Sequence, residues 1–258
     1  MAKKIFFREY GNGDDIVILH GILGSSDMWI PVARRLSGGF HVIVPDLTNH
    51  GQSGHTESIG FDNVSETMRD FLKSKHIERP VIIAHSYGAK VAFQMLADGL
   101  EMEKLIAVDM LPATTYADPQ ILQLLETIKQ PLPQLKSFAQ AKQIFSEKGI
   151  RPHFSDLLAK GLAMHNGSLQ WKFNARLIAK NANEIRQSVE LNGFFDTPLL
   201  VVKGENSNYV DSSSIADAKQ HFNNLKLIEI PDAGHWVHYD QPETFFNTIY
   251  NHITNNNL

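Results

Sequence analysis

The sequence contains no cysteine among its 258 residues. This absence excludes disulfide bonds, cysteine-ligated zinc, iron–sulfur clusters and a cysteine nucleophile. No run of apolar residues approaches the roughly 20 that a membrane-spanning helix requires. Arg8 and Glu9 stand near the start, where a signal peptide would need an apolar stretch. We therefore expect a cytoplasmic protein with no membrane-inserted segment.

A strong excess of either charge is also missing. The chain has 24 Lys and Arg against 28 Asp and Glu, for a formal net charge of −4, and no long run of basic residues. A nucleic acid or an anionic membrane would require a basic surface, so neither partner is expected. The content of 43% hydrophobic and 20% charged residues is that of a globular chain with a sizeable core, and it excludes disorder.

Six short apolar runs bounded by turn residues predict strands. They are residues 16–19, 42–44, 81–84, 105–108, 199–202 and 225–230. The first five are nearly continuous, which is typical of parallel strands covered by helices on both faces, and the last alternates as an edge strand does. Helix-compatible segments lie at 63–75, 87–100 and 242–252. The pattern predicts an α/β fold with a mostly parallel, doubly wound sheet.

The alternation of strand and helix stops between Pro112 and Phe195, where no convincing strand is found. Asp118-Pro119 has the pattern of an N-cap followed by a first helical residue, and Ser137 would cap a second helix. We expect residues 112–195 to form a helical cap inserted between two strands. Residues 1–111 and 196–258 would then form the core.

Ser86 is the candidate nucleophile. It lies in Ala84-His85-Ser86-Tyr87-Gly88, where the third apolar run meets a helix. This is the position of a nucleophile elbow, a strained turn that needs small flanking residues and raises the serine hydroxyl above the sheet. The five residues alone could be a chance serine at a strand end, but the strand–turn–helix context favours a nucleophile.

The loop after the first apolar run, His20-Gly21-Ile22-Leu23-Gly24-Ser25, predicts the other half of an acyl-transfer site. Its glycines allow a main chain that presents an N–H group inward. We expect the amides of Ile22 and Tyr87 to form an oxyanion hole, where donors stabilise developing negative charge. Without Ser86 the same loop would be an ordinary glycine-rich turn.

His235, in Ala233-Gly234-His235-Trp236, is the candidate base. It follows the last predicted strand, as the histidine does in the order nucleophile, acid, histidine. Because the chain has 12 histidines, this position carries the assignment. His238 could pair with His235 on a metal, but no third ligand has a recognisable spacing, so no metal is expected.

The acid that orients the histidine has three candidates. Asp109 ends the strand beside the nucleophile strand, and neighbouring strands are close enough for its carboxylate to reach the same imidazole. Glu205 and Asp211 follow the 199–202 strand, where such hydrolases often carry an Asp. We favour Asp109 and expect Ser207 to orient the acid or the histidine. Alternatively, Asp109 could be a strand-end residue whose carboxylate serves only to accept hydrogen bonds from loop N–H groups.

These residues resemble the α/β-hydrolase superfamily, and most closely the small bacterial carboxylesterases of the YbfF type, related to the abhydrolase-domain esterases. The resemblance covers nearly the whole chain outside the 112–195 segment. The matching pieces are His20 to Ser25 with Trp29, Asp46 with Asn49 to Ser53, His85 to Lys90, Val108-Asp109, Asn206 to Val210 and Gly234 to His238. Ala84 departs from the usual Gly, and Thr48 from the usual Arg.

The resemblance implies a serine esterase that cleaves short-to-medium acyl esters through an acyl-enzyme, with no cofactor and a small-molecule ester as its partner. It also implies that the acid follows the strand after the nucleophile strand, which supports Asp109. Trp171, Tyr209 and Trp236 are candidates for the substrate pocket, although each could be plain core. A thioesterase, a perhydrolase or a C–C bond hydrolase would use the same residues, and a non-catalytic receptor would retain the fold alone.

Overall fold

The computed structural model describes residues 4–116, 118–130 and 132–254. Its strands are β1 (Phe7–Tyr10), β2 (Asp14–Leu19), β3 (Phe40–Pro45), β4 (Val81–His85), β5 (Lys104–Val108), β6 (Leu162–His165), β7 (Ser168–Trp171), β8 (Leu199–Gly204) and β9 (Leu225–Ile230). Seven of them form one sheet in the order β1-β3-β2-β4-β5-β8-β9, in which β1 alone is antiparallel. Strands β6 and β7 form a separate hairpin.

Helices cover both faces of this sheet. They are α1 (Ile30–Leu36), α2 (Phe61–Ser74), α3 (Tyr87–Ala97), α4 (Pro119–Lys129), α5 (Phe138–Glu147), α6 (Pro152–Lys160), α7 (Ala175–Lys180), α8 (Ser212–Ala218), α9 (Val237–Asp240) and α10 (Pro242–Thr254). Each face of the sheet buries its own apolar cluster, one under α2 and α3 and the other under α1 and α10. The predicted doubly wound α/β fold is confirmed. None of the described helices has the length and apolar character needed to cross a bilayer.

All six predicted strands are present, and β9 lies at the sheet edge as its alternation indicated. Strand β1 was not predicted. Its four residues, Phe-Arg-Glu-Tyr, carry two charges, and none of them is fully buried. The strand exists because it pairs along β3, from Phe7 opposite Pro45 to Tyr10 opposite Val42. Such an edge strand is defined by its partner more than by its own apolar pattern.

The prediction that residues 112–195 contain no strand is wrong, because the β6–β7 hairpin lies within them. Asn166 and Gly167 connect its strands, and both have positive φ, 48° and 78°. This is the Asn-Gly turn that two-residue hairpins favour, so the signal was present in the sequence. The predicted caps are confirmed: Asp118 accepts from the Gln120 N–H at 2.7 Å and Ser137 from the Gln140 N–H at 3.3 Å.

The assignment of residues 112–195 to a cap stays a prediction, and one feature of the structure supports it. Helices α4 to α7 and the hairpin bury an apolar cluster of their own. Phe145, Leu162 and Ile178 are fully or almost fully buried within it. A segment with its own core can pack over the sheet as a unit.

The buried carboxylate of Asp46 holds together the loops that follow β2 and β3. Asp46 is 1% exposed, and its two oxygens accept from the Ser26 N–H at 2.6 Å and the Gln52 N–H at 2.8 Å. Because Ser26 is itself buried, water could not hydrogen-bond its N–H group if the Asp46 carboxylate were removed.

Asp46→Ala should therefore lower the free energy of unfolding by about 2–3 kcal/mol, because a buried amide is left unpaired. Asp211→Ala is the matched control. Asp211 also accepts from main-chain N–H groups, at the exposed start of α8, so its loss should cost only about 1 kcal/mol. Urea unfolding of both variants measures the difference, and equal losses would contradict the role assigned to Asp46.

Candidate active site

Ser86 stands at the junction of β4 and α3 in a strained main-chain conformation, with φ 53° and ψ −118°. Such a conformation persists only where the surrounding structure enforces it. Gly88 shows how tightly α3 is held here, because a Cβ at that position would lie 2.5 Å from the His20 carbonyl oxygen. The sharp turn forms with Ala84 in place of the usual glycine, and Ser86 is 8% exposed.

His235 lies beside Ser86, as the sequence predicted. Its Nε2 is 2.9 Å from the Ser86 Oγ, although the two residues are far apart in the chain. The loop that follows β9 carries the histidine back over the carboxyl end of the sheet. Tyr209 stacks on the imidazole with ring centroids 3.7 Å apart, so the ring orientation of His235 is restricted by packing as well as by hydrogen bonds.

Asp109 completes a continuous chain of hydrogen bonds. Its Oδ2 lies 2.7 Å from the His235 Nδ1, and its Oδ1 accepts from the Gly204 N–H at 3.1 Å. The Ser207 hydroxyl donates to the same carboxylate, as expected for an orienting residue. Asp109 is fully buried and has φ 52°, so the carboxylate has little freedom to leave this position.

The two alternative acids lie elsewhere and have structural partners. Glu205 is exposed, and its side chain accepts from the Asp232 N–H at 3.0 Å. Asp211 caps the start of α8 in a reciprocal arrangement with Ser214. Neither carboxylate is hydrogen-bonded to His235, so the geometry favours Asp109 as the orienting acid.

Ile22 and Tyr87 line the same pocket as Ser86. Neither N–H donates to an acceptor in the part of the chain that the structure describes. Gly21 brings this loop against the nucleophile, since a Cβ on it would lie 2.8 Å from the His85 Nδ1 and 3.3 Å from the Ser86 Cβ. Free donors near a serine hydroxyl are what an oxyanion hole requires, so this assignment stays a prediction that the geometry supports.

His50 supports this loop and was not recognised from the sequence. Its Nε2 accepts from the Leu23 N–H at 3.2 Å, while its Nδ1 donates to the Thr48 carbonyl at 2.9 Å. Leu23 has φ 63°, so the main chain next to Ile22 is held in a conformation that a leucine rarely adopts. No spacing in the sequence indicated this contact, because the two loops meet only in the fold.

Two further imidazoles pack around His235 and remain neutral at physiological pH. Burial lowers the pKa of His238 to about 3 and that of His85 well below its ordinary value, and the neighbouring His235 adds to both effects. His85 donates from Nε2 to the His235 carbonyl at 2.9 Å, and His238 stacks on Trp29. A proton taken up by His235 therefore meets no adjacent positive charge from these rings.

A small inner cavity of about 40 Å³ adjoins Ser86, and a wider outer cleft of about 360 Å³ opens beside it. Tyr209 and Trp236, both predicted pocket residues, line the inner cavity and the outer cleft. The third predicted residue, Trp171, lines neither. Its ring stacks between Phe145 and Phe173 in the apolar cluster of the 112–195 segment.

The sequence did not identify most of the apolar lining of the inner cavity, which includes Met110, Tyr116, Ile121, Leu125 and Ile185. Ile121 and Leu125 form part of the apolar stripe of α4, so a signal existed, but periodicity alone indicates only a buried face. Tyr116 and Ile185 carry no periodic signal. Within the described residues, no three His, Asp or Glu side chains are placed to share a metal ion.

Comparison with known proteins gives concordant findings. The profile of the alpha/beta hydrolase fold family matches residues 15–242. The chain is 30% identical over 253 residues to the sn-1-specific diacylglycerol lipase ABHD11 of Danio rerio, covering 93% of this chain and 78% of that protein. It is 25% identical to esterase YbfF of Escherichia coli, with 94% of each chain covered. A solved marine microorganism esterase superposes with a TM-score of 0.90 at 31% identity, covering 96% of this chain and 98% of the other.

Gly21→Ala should reduce esterase turnover by about 100-fold, the loss expected when one oxyanion donor is displaced. The added methyl group would meet His85 and Ser86 and push the loop carrying the Ile22 amide outward. Gly54→Ala is the control, because its Cβ would lie 3.5 Å or more from its neighbours. Steady-state kinetics with a p-nitrophenyl ester measures both variants, and full activity in Gly21→Ala would contradict the close approach.

Proposed function

Because the chain belongs to the α/β-hydrolase family, within the group that includes YbfF and the abhydrolase-domain proteins, we propose that it is a carboxylic ester hydrolase with Ser86 as nucleophile. One observation carries this proposal, namely the hydrogen-bond chain from Ser86 through His235 to Asp109. A serine hydroxyl is a weak nucleophile unless a base removes its proton, and this chain provides the base already oriented.

The reaction begins with acylation of the serine. His235 accepts the proton from the Ser86 hydroxyl through Nε2 as the Oγ attacks the ester carbonyl carbon. Asp109 holds the proton on Nδ1, which leaves Nε2 free as the acceptor, and it stabilises the imidazolium that forms. Ser207 and the Gly204 amide keep the Asp109 carboxylate aligned during this step.

The carbonyl oxygen becomes an oxyanion in the tetrahedral intermediate. The Ile22 and Tyr87 amides donate to it, and because neither has another acceptor within the described residues, no bond has to break first. Collapse of the intermediate expels the alcohol, which takes the proton from His235 Nε2. Water then attacks the acyl-enzyme with His235 again acting as base, and the carboxylic acid is released.

The two compartments suggest how an ester sits in the site. The inner cavity is mainly apolar and small enough to hold roughly three water molecules, so it suits a short acyl group. The outer cleft has a polar rim that includes Asp118 and Asn206, which suits the alcohol portion. We therefore infer that the inner cavity binds the acyl group. Its small size would make the enzyme prefer acyl chains at the short end of the short-to-medium range.

A fluorophosphonate probe tests the nucleophile directly, because it reacts with an activated serine and retains the bond. Wild-type protein should be labelled at Ser86, and Ser86→Ala should abolish labelling and ester hydrolysis together. Ser155→Ala is the control, since Ser155 is also buried but lies in α6. Intact-mass and peptide mass spectrometry locate the label. An unlabelled wild-type protein that hydrolyses no ester would defeat the proposal.

Asp109→Asn should reduce kcat by about 10⁴-fold with the fold intact, as loss of a tautomer-orienting carboxylate does in serine proteases. The amide cannot stabilise the imidazolium as the carboxylate does. Glu205→Gln, the matched control, should keep its kcat within about twofold of wild type, because Glu205 is exposed and its carboxylate accepts from a surface loop amide. If Glu205→Gln lost most of its kcat while Asp109→Asn kept nearly all of it, Glu205 would replace Asp109 as the orienting acid. Circular dichroism checks that both variants fold.

A further inference from the structure

Lys90 is a buried cation that the proposed reaction does not use. It lies on α3, one turn beyond Ser86, and is 1% exposed. Burying an ammonium group is costly unless every N–H finds an acceptor. Burial opposes the charged form and lowers the pKa of Lys90 to about 7, so the ammonium group persists only where carbonyl oxygens stabilise it. No carboxylate forms an ion pair with Lys90 among the residues that the structure describes, so its hydrogen bonds must account for its presence.

The Lys90 ammonium donates to three main-chain carbonyls. The acceptors are Pro112 at 2.8 Å, Thr114 at 2.7 Å and Gln187 at 2.7 Å. An ammonium group has three N–H donors, so each has one acceptor. Pro112 and Thr114 lie where the chain enters the 112–195 segment, and Gln187 lies near where it leaves. We call residues 112–115 the entering stem and residues 186–190 the leaving stem. The Lys90 side chain therefore joins both stems to α3, the helix that begins after Ser86.

The two stems carry walls of the inner cavity. Tyr116 follows the entering stem, and Ile185 immediately precedes the leaving one. The stems also bond to each other, through the Val189 N–H and the Pro112 carbonyl at 3.0 Å. Because both stems contribute to the lining, their spacing affects the width of the cavity.

The entering stem also reaches the catalytic histidine. Thr114 lines the cavity, and its hydroxyl donates to the Tyr209 carbonyl at 3.0 Å. Tyr209 in turn stacks on the His235 ring. Displacement of the Thr114 main chain would therefore disturb both a wall of the cavity and the packing of His235.

We propose that Lys90 is a positioning residue that sets the acyl-length selectivity of the site by clamping both stems of the 112–195 segment to the nucleophile helix. Its side chain lines neither the inner cavity nor the outer cleft, and within the described residues its ammonium group has no hydrogen bond to Ser86, His235 or Asp109. This inference rests on the proposed esterase function of the same site. Loss of the clamp would allow the cavity walls to separate, which admits longer acyl chains and holds short ones less firmly.

The test compares two buried lysines that receive the same substitution. Lys104 is 7% exposed, and its ammonium group donates to the His252 and Ile253 carbonyls, far from the cavity. Lys90→Met and Lys104→Met each remove an ammonium group from a buried site. Both should lose stability to urea, so stability alone does not distinguish a clamp from an ordinary structural lysine.

The discriminating measurement is kcat and KM for p-nitrophenyl acetate and hexanoate. In Lys90→Met, the ratio of kcat/KM for hexanoate over acetate should rise by about tenfold relative to wild type, the change that one or two methylene-sized differences in a pocket produce. The KM for acetate should rise more than its kcat falls. In Lys104→Met the ratio should match wild type. An unchanged ratio in Lys90→Met, or an equal change in Lys104→Met, would overturn the inference.

Hydrogen exchange provides a readout that does not depend on activity. In Lys90→Met, the Val189 amide and the peptides covering residues 110–116 and 185–190 should exchange faster than in wild type, while Lys104→Met should leave them unchanged. Equal exchange in all three proteins would overturn the clamp. An inactive wild-type protein that also escapes the fluorophosphonate probe would defeat the proposed function instead, and exchange would still decide the role of Lys90.

Discussion

The site depends on the alignment of adjacent parallel strands, which brings distant residues to one edge of the sheet. Ser86 follows β4, Asp109 follows β5, and the Gly204 amide that bonds to Asp109 ends β8. These three strands are neighbours, and His235 returns from the loop after β9, the next strand along. Because neighbouring strands are spaced about 4.8 Å apart, the side chains at their carboxyl ends meet without any long connection.

This geometry requires the main chain to leave each strand abruptly. Ser86 and Asp109 both have positive φ, which non-glycine residues seldom adopt. This main-chain conformation directs each side chain above the edge of the sheet. Its energetic cost is offset by the packing of the sheet, whose central strands β4 and β5 are buried. Because the strands are rigid and the main chain turns sharply at their ends, the hydrogen bonds of the site are already formed in the free protein.

Hydrogen bonds fix the acid and one of the histidines that surround the site. Asp109 has three donors, and His85 is committed to the His235 carbonyl. Beside Ser86, the Ile22 and Tyr87 amides have no acceptor among the described residues. Unpaired donors in a nearly closed cavity are unfavourable in the free protein, and an incoming carbonyl oxygen relieves this. Both ends of the 112–195 segment contribute to the lining of this small cavity, through Thr114 and Arg186.

Several features could be determined from the sequence because they are local. Apolar runs identified six of the seven strands of the main sheet, and the elbow pattern singled out Ser86. Chain order pointed to His235, and capping residues marked helices within the 112–195 segment. The missed hairpin also had a local signal in Asn166-Gly167, so that error came from interpretation rather than from missing information.

Other features were decided only by the tertiary structure. The sequence favoured Asp109 over Glu205, but only the fold shows that the Asp109 carboxylate lies within hydrogen-bond distance of His235. Trp171 carried the same aromatic character as Tyr209 and Trp236, yet it packs in a separate cluster. The contacts of His50 and Lys90 join segments far apart in the chain, and no spacing encodes them. Periodicity indicates that a side chain is buried, but it does not indicate which groups the side chain contacts. Those contacts depend on how the helices and strands pack, and they determine the chemistry of the pocket.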